Sequence, residues 1–326
     1  MIVEIETSLF FDNSKHNDLD KFFDFFIENR YDFYVDDEKI FKSEWNIGAR
    51  KSKKDFLKKS FVNSAYLPLG RRLKIGTTNN DLDNEFTLAD GYIFLNAPVL
   101  VFMENSYYDG KCYLGLLSKF KSADRINEFY RKRWLEFKNC GGKNGAINQI
   151  NAILKAYRKE ALENHKYLKA ILIIDSDKKT PTDTVNNDDF IQYFTSKNIC
   201  VHTLEKREIE NYLPMEALES QVEKISLEKL NALKDLTPIQ LDYYDYEKGF
   251  NTNSKRKLND LYKDISDGNY TLLKQGLDKA GFRTKGEIPK LFYHHSITKE
   301  LLLERCEHQN TPKELERLIE KINELL

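Results

Sequence analysis

Short hydrophobic runs between residues 93 and 214 alternate with stretches of helical character, which is the pattern of β-α units on a parallel sheet. The apolar runs predict four strands, at 98–103, 134–138, 169–175 and 199–204. The segments between them predict helices at 109–120 with an extension to about 131, at 144–160 and at 187–196. Right-handed crossovers bring the carboxyl ends of parallel strands to one edge of the sheet, where open α/β sheets bind their ligands.

The segments on either side have different patterns. Residues 1–92 predict an α+β segment, with a strand at MIVEIE and an amphipathic helix whose apolar stripe is Leu19, Phe22, Phe23 and Phe26. Residues 215–326 are rich in Lys, Glu and Leu and predict a helical domain. Its last helix has a start signal in Thr311-Pro312-Lys313-Glu314, which offers an N-cap, a proline at the first position and a capping-box glutamate.

The predicted fold is therefore α/β, with a four-stranded parallel sheet in a central domain at 93–214, an N-terminal segment at 1–92 and a helical domain at 215–326. The length of 326 residues and the hydrophobic fraction of 40% allow a core that needs no disulfide or structural metal. The 51 basic and 52 acidic residues leave a formal charge of -1, which removes the argument for a small basic DNA-binding domain but leaves room for a local basic surface.

Cysteine usage and the amino terminus bear on the compartment. The four cysteines are far apart and form no C-x-x-C pair, so a zinc ribbon or a redox dithiol has no support. The amino terminus lacks the lysines of a signal peptide, and no apolar run approaches the roughly 18 residues of a membrane span. A cytoplasmic protein without a membrane partner is expected.

Acidic residues follow three of the four predicted strands. Glu104 ends the first strand, Asp175 and Asp177 end the third, and Glu208 and Glu210 follow the fourth in LEKREIENYLP. Carboxylates brought close together repel one another unless protons or cations neutralise them. Oxygen ligands without nearby cysteine or histidine favour Mg²⁺ or Mn²⁺, which points toward phosphate chemistry. Asp109 is either an accessory ligand or the N-cap of the next helix.

Residues 95–214 resemble the Toprim domain. The resemblance rests on Glu104 after the first strand, the turn CGGKNG after the second, the Asp-x-Asp of Asp175 and Asp177 after the third and EIENYL after the fourth. Among Toprim proteins the chain is most similar to the nuclease branch, which includes overcoming-lysogenization-defect (OLD) nucleases and related phage-defence effectors. It differs at one position, because many Toprim domains have Glu-Gly where this chain has Glu104-Asn105.

The resemblance implies a Mg²⁺- or Mn²⁺-dependent endonuclease that hydrolyses DNA or RNA as an effector of bacterial anti-phage defence. It implies that Glu104 is a metal ligand and candidate general base, that Asp175 and Asp177 bind the metal, and that Glu208 or Glu210 completes a second metal position. Because residues two apart on a helix point to roughly opposite faces, only one of this pair is expected to face the metals, and Glu208 is preferred.

OLD-type nucleases are usually coupled to an ABC-type ATPase. This chain has no Walker A motif, so such a partner would act in trans. The sequence leaves open whether the chain forms a homo-oligomer.

Basic residues complete the expected site. A nuclease needs a cation near the leaving group, and Lys285 is preferred because Gly286 beside it could expose it on a turn, with Lys178 and Lys290 as alternatives. Candidate contacts to the nucleic-acid backbone are Lys143, Lys178, Arg131, Lys132 and Arg133. For the turn that holds Lys143 the alternative is a tight strand-to-helix connection, and for the basic run at 131–133 it is a solvated face.

Two other functions stay open. One is a degenerate Toprim module that binds nucleic acid or a partner without cutting. The other is a nucleotide-sugar transferase, which would use Asp175 and Asp177 but leaves Glu104 and EIENYL unexplained. A haloacid-dehalogenase-type phosphatase is disfavoured, because Lys179 stands where that family has Thr or Val.

Overall fold

The computed structural model describes residues 1–67, 72–78, 84–159, 168–184, 188–252, 254–255, 258–278 and 282–326, without the side chains of 143–144 and 157–159. The chain forms two compact units. The first comprises Met1–Val99, Leu154–Lys169 and Glu324–Leu326, and the second comprises Leu100–Ile153 and Ala170–Asn323.

The first unit contains a four-stranded sheet. Its strands are β1 (Ile2–Ile5), β2 (Asp32–Tyr34), β3 (Arg72–Gly76) and β4 (Glu85–Thr87), in the order β2-β1-β3-β4, and each neighbouring pair is parallel. Its helices are α1 (His16–Ile27), α2 (Glu44–Gly48), α3 (Lys51–Ser64) and α4 (Leu88–Asn96). The segment predicted as α+β is therefore parallel α/β. Strands as short as β2 and β4, with three residues each, have too few positions to show a period in the sequence.

Aromatic side chains fill the core of this unit. All four residues of the predicted apolar stripe lie on α1 and are fully buried. The ring of Phe23 contacts five other rings, those of Phe10, Phe26, Phe33, Trp45 and Phe56. The predicted apolar face of α1 is thus confirmed as core.

The second unit contains the predicted central sheet. Its strands are β5 (Val99–Met103), β6 (Leu135–Asn139), β7 (Ala170–Ile174) and β8 (Cys200–Thr203), in the order β6-β5-β7-β8. β5 and β7 are parallel, as are β7 and β8, and all four strands lie where the hydrophobic runs predict them. The intervening helices are α5 (Asp109–Leu117), α6 (Asp124–Arg131), α7 (Lys143–Lys159) and α8 (Asp188–Thr195).

The rest of the second unit is helical, as predicted. Its helices are α9 (Met215–Glu219), α10 (Leu227–Lys234), α11 (Pro238–Tyr243), α12 (Asp267–Leu273), α13 (Thr284–Leu291), α14 (Lys299–Glu304) and α15 (Glu314–Asn323). These helices belong to the same unit as the second sheet, so the expected boundary near residue 214 does not separate two units. Among the described helices, none has the length and apolar character needed to cross a membrane.

The start of α15 differs from its sequence signal. The helix begins at Glu314 itself, and the backbone amide of Thr311 donates to Oε2 of Glu205 at 3.2 Å. The Glu314 carboxylate is buried, where it accepts from the amide of Glu205 at 2.9 Å and from the hydroxyl of Tyr212. The predicted capping-box role of Glu314 is therefore wrong, because residues of the segment that follows β8 bind this carboxylate instead.

Candidate metal centre

The carboxyl ends of the central strands place the first acids of the site. In the parallel pairing of β5 with β7, Phe102 lies opposite Leu172. Glu104 is two residues beyond this pair on β5, and Asp175 is three residues beyond it on β7. Neighbouring strands are about 4.8 Å apart, so the two acids emerge side by side at one edge of the sheet.

The segments that follow the strands are joined to one another by hydrogen bonds to backbone carbonyls. The amide of Asp177 donates to the carbonyl of Arg207 at 3.1 Å, and the hydroxyl of Ser176 donates to the carbonyl of Lys206 at 2.7 Å. On the other side of β5, the amide of Gly141 donates to the carbonyl of Glu104 at 3.1 Å. These bonds join the segment after β7 to the one after β8, and the segment after β5 to the one after β6; the pairing of β5 with β7 connects the two halves.

A pocket of about 500 Å³ opens at this edge. Its lining includes all six predicted acids: Glu104, Asp109, Asp175, Asp177, Glu208 and Glu210. We call it the acidic pocket. The C-terminal part of the unit adds Glu247, Lys248 and Lys285 to its wall. Among the described residues, no group of three carboxylate, imidazole or thiol side chains is arranged as a set of metal ligands.

Four of these acids, Asp109, Asp175, Glu208 and Glu210, have raised pKa values. Burial raises the pKa of Asp175 well above its ordinary value, and the charges of Glu210, Asp109, Glu208 and Asp177 raise it further. Burial raises the pKa of Glu210 to about 8, and the charge of Glu208 acts in the same direction. The pocket therefore concentrates negative charge that protons or a cation would neutralise.

Glu208 and Glu210 both line the acidic pocket, contrary to the expectation that only one of them would. Glu208 has an extended backbone, and the 3₁₀ turn begins only at Ile209, so the opposite-faces rule for a helix does not apply to the pair. Burial raises the pKa of Glu208 to about 6, and Oε1 of this residue lies 3.2 Å from the guanidinium of Arg207.

Asp109 is the first residue of α5, and the N-cap of this helix is Tyr108. Its Oδ2 accepts a hydrogen bond of 2.9 Å from the amide of Asn105. Burial raises the pKa of Asp109 to about 6 in spite of this bond. Asp109 thus stabilises the loop after β5 and also lines the pocket. It is not the N-cap of α5.

The predicted lysine of the site, Lys285, lies in the first turn of α13 and lines the acidic pocket. Its Nζ is 3.4 Å from Oε2 of Glu247, and 60% of its side chain is exposed. The alternative Lys290 pairs with Glu287 at 2.8 Å, and neither Lys290 nor Lys178 is part of the described pocket wall.

The structure separates the other basic candidates from the acids. Arg131, Lys132 and Arg133 precede β6, at its amino end, whereas the acidic pocket is at the carboxyl ends. Five residues of strand span about 16 Å, and Lys132 pairs with Glu128 at 2.8 Å. A direct contact between this run and substrate at the acids is therefore disfavoured. Lys143 is the first residue of α7, and its side chain lies outside the described residues.

A buried ionic network supports the segment that carries Glu208. Lys206 is fully buried and donates to Oδ1 of Asp242 and, at 2.7 Å, to the carbonyl of Arg305. Asp242 also accepts from Arg305 at 2.8 Å and contacts Nε2 of His308 at 2.6 Å. The amide of Arg207 donates to the carbonyl of Asp242 at 3.0 Å. No sequence motif marked this network, because Lys206 and Asp242 are far in sequence from Arg305 and His308.

Comparison of the chain with protein-family models, with curated proteins and with solved structures found no match.

The raised pKa of Glu210 predicts how stability depends on pH. Folded Glu210 keeps its proton up to about pH 8, whereas the unfolded chain releases it near the ordinary value of 4.5. Since the unfolded state then binds fewer protons, the free energy of unfolding of the metal-free protein should fall between these values, by an amount on the order of a few kcal/mol. Urea unfolding in EDTA at pH 5 and pH 8 measures this.

In the Glu210→Gln variant the free energy of unfolding should depend much less on pH. The matched variant Glu216→Gln, at an exposed position on α9, should keep the pH dependence of the wild type. Added Mg²⁺ should raise the melting temperature more at pH 8 than at pH 5, because fewer of the carboxylates must then release a proton to bind the cation. An unchanged slope in Glu210→Gln would show that other groups cause it.

Proposed function

We propose that the chain is a metal-dependent phosphodiesterase that cuts DNA or RNA. The observation that carries the proposal is the convergence of six carboxylates, from the ends of β5, β7 and β8, in one pocket together with Lys285. Carboxylates at separate strand ends do not stabilise one another, since burial and mutual repulsion disfavour their charged forms. A cation would remove that cost.

The donor set fits Mg²⁺ or Mn²⁺. The pocket's described wall offers carboxylate and amide oxygens, from the acids and from Asn105 and Asn139, and includes no cysteine or histidine. Hard divalent cations prefer such ligands. When bound, the metal would lower the pKa of a coordinated water and polarise the phosphoryl oxygens.

The residues divide by position. Asp175 is the central ligand, because it ends β7, which lies between β5 and β8 in the sheet. Asp177, Glu208 and Glu210 line the same pocket and are the further ligands. Glu104 is exposed at the end of β5 and is the candidate to accept the proton of the attacking water. Lys285 lines the same pocket and is exposed, so its ammonium group can neutralise the leaving oxygen.

The finer proposal, a Toprim nuclease of the OLD type acting in anti-phage defence with an ABC-type ATPase in trans, is supported by the order of acids and turn along the chain. Its test is a plaque assay in which the chain is expressed with its neighbouring genes. Reduced plaque formation that disappears with the Asp175→Asn variant would support it, and protection that persists in the variant would count against it.

The activity itself is tested by incubating purified protein with single- and double-stranded DNA and with RNA, in Mg²⁺, in Mn²⁺ and in EDTA. We expect cleavage only with a divalent metal, and products with 5′-phosphate ends, as the family resemblance implies. Metal-dependent binding of nucleic acid without cleavage of any substrate would favour the degenerate module instead. Hydrolysis of a nucleotide sugar without nucleic-acid cleavage would favour the transferase.

Replacement of Lys285 by alanine is expected to lower kcat by about 100-fold with little change in KM, because its charge would act on the leaving group and not on substrate binding. Lys285→Arg keeps the charge and should retain more activity. Lys290→Ala, on the same helix but paired with Glu287, is the matched control and should be unaffected. A raised KM with unchanged kcat in Lys285→Ala would assign the lysine to binding alone.

A further inference from the structure

A second pocket, of about 450 Å³, adjoins the acidic pocket. The two share Lys248 in their walls, and Arg207 of the second pocket lies 3.2 Å from Glu208 of the first. The loop that follows α11 contributes to both walls: Tyr246 and Glu247 line the acidic pocket, and Asp245, Gly249 and Phe250 line the second. We call this second cavity the aromatic pocket.

The two pockets differ in charge. The described wall of the acidic pocket has seven carboxylates and two lysines, whereas that of the aromatic pocket has one carboxylate, Asp245, and three cations, Lys179, Arg207 and Lys248. Arg207 is already paired with Glu208 and, at 3.0 Å, with Asp245. Neither Lys179 nor Lys248 has an ion-pair partner among the described residues, so their charges are available to an anionic ligand.

Aromatic rings form the other part of this wall. The ring of Phe250 is fixed by contacts at 4.9 Å with Tyr262 and at 5.3 Å with Tyr244. Tyr243 is half-buried, lines the pocket and contacts no other ring within the part of the chain that the structure describes. Tyr243 therefore adds to the pocket wall a ring that no other described ring stacks on, and stacking of a planar group on such a ring tolerates any base.

The loop that carries Lys248 is held in place by two glycines. Gly249 and Gly276 have φ values of +66° and +63°, and a Cβ on Gly249 would lie 2.2 Å from the backbone nitrogen of Gly276. The amide of Leu277 donates to the carbonyl of Tyr246 at 2.7 Å. Only glycine permits this close approach of the two backbones, so the position of Lys248 between the pockets is built into the fold.

We propose that the aromatic pocket binds one nucleotide of a single-stranded nucleic acid, next to the phosphate that enters the acidic pocket. The base would stack on Tyr243 and Phe250, and its phosphate would lie between Lys179 and Lys248. The volume lies within the range of small-molecule sites. A base held among aromatic side chains cannot remain stacked in a duplex, so the substrate must be unpaired beside the cut. This inference rests on the proposed function.

Fluorescence anisotropy with labelled 12-nucleotide oligonucleotides tests the inference. The probes are single-stranded DNA, single-stranded RNA and a blunt DNA duplex, with Ca²⁺ in place of Mg²⁺, and adenosine monophosphate is the competitor. Both single strands should bind the full chain at least tenfold more tightly than the duplex. Tyr243→Leu and Lys248→Ala should each weaken single-strand binding by about fivefold to a hundredfold. Tyr293→Leu and Lys197→Ala, at residues that line neither pocket, should not.

The outcomes separate this inference from the nuclease proposal. Weaker single-strand binding in both pocket variants supports the subsite even if no substrate is cut. Lys248 is exposed, so Lys248→Ala should stay folded. If this variant binds single strands as tightly as the wild type does, and duplex and single strands bind equally well, the subsite is overturned even if cleavage occurs. Binding of the free mononucleotide without binding of either single strand also overturns it.

Discussion

Replacing Asp175 by asparagine will reduce nucleic-acid cleavage by about a thousandfold or more while the protein stays folded. The substitution keeps the shape of the side chain and removes its charge at the centre of the acidic pocket, where Glu210, Asp109, Glu208 and Asp177 all act on it. Loss of a central ligand removes several kcal/mol of stabilisation from the transition state. Single-turnover cleavage in saturating Mg²⁺ measures the effect.

Asp189→Asn is the matched control, because Asp189 is exposed on α8 and lines neither pocket. It should cleave like the wild type. We also expect the metal-free Asp175→Asn protein to be at least as stable as the wild type. The substitution removes the cost of burying a charge and the repulsion from the neighbouring acids. Undiminished cleavage by Asp175→Asn would remove the acidic pocket from the chemistry.

Replacing Asp242 by alanine will lower the free energy of unfolding by about 3–5 kcal/mol, the usual cost of leaving a buried charge without its partner. Asp242 is 3% exposed and accepts from Lys206, Arg305 and His308. Burial and the charge of Arg305 lower the pKa of Lys206 to about 8, and Asp242 opposes both. Without Asp242, the lysine must lose its proton or carry a charge without its carboxylate partner.

Urea unfolding at pH 7 measures this change. Asp260→Ala is the control, since Asp260 is 87% exposed and its pair with Lys263 is a surface pair of little worth; the change there should be within about 0.5 kcal/mol. Because the network also fixes the backbone of Arg207, we expect Asp242→Ala to lose activity at temperatures where it is still folded. Equal stability of Asp242→Ala and the wild type would show that the network contributes nothing.

The sequence was most informative where strands are fully apolar. β5 and β7 are buried at every position, so continuous apolar runs marked both the strands and the place where each ends in an acid. Parallel pairing then required those acids to meet. This reasoning predicted that the acids after β5, β7 and β8 come together, and they all line the acidic pocket. Lys285 was chosen separately, for the glycine beside it, and it also lines the pocket, although α13 places that lysine on a helix and not on a turn.

The sequence was less informative where tertiary contacts determine the backbone conformation or bring distant residues together. The rule that residues two apart on a helix diverge failed for Glu208 and Glu210, because the backbone at Glu208 is extended. In the sheet of the first unit only β1 was predicted, since the other strands are short and partly polar. The aromatic pocket had no sequence signal, because its wall brings Lys179 and Arg207 together with residues 243–262, and only the folded chain makes them neighbours.

The central claim is that the acids at the strand ends share a divalent cation. Anomalous diffraction from crystals grown with Mn²⁺ tests it most directly. We expect a manganese peak in the acidic pocket, at a bonding distance of about 2.0–2.3 Å from a carboxylate oxygen of Asp175 and from at least one of Glu104, Asp177, Glu208 and Glu210. Metal-dependent cleavage in solution with manganese bound only outside this pocket would contradict the claim.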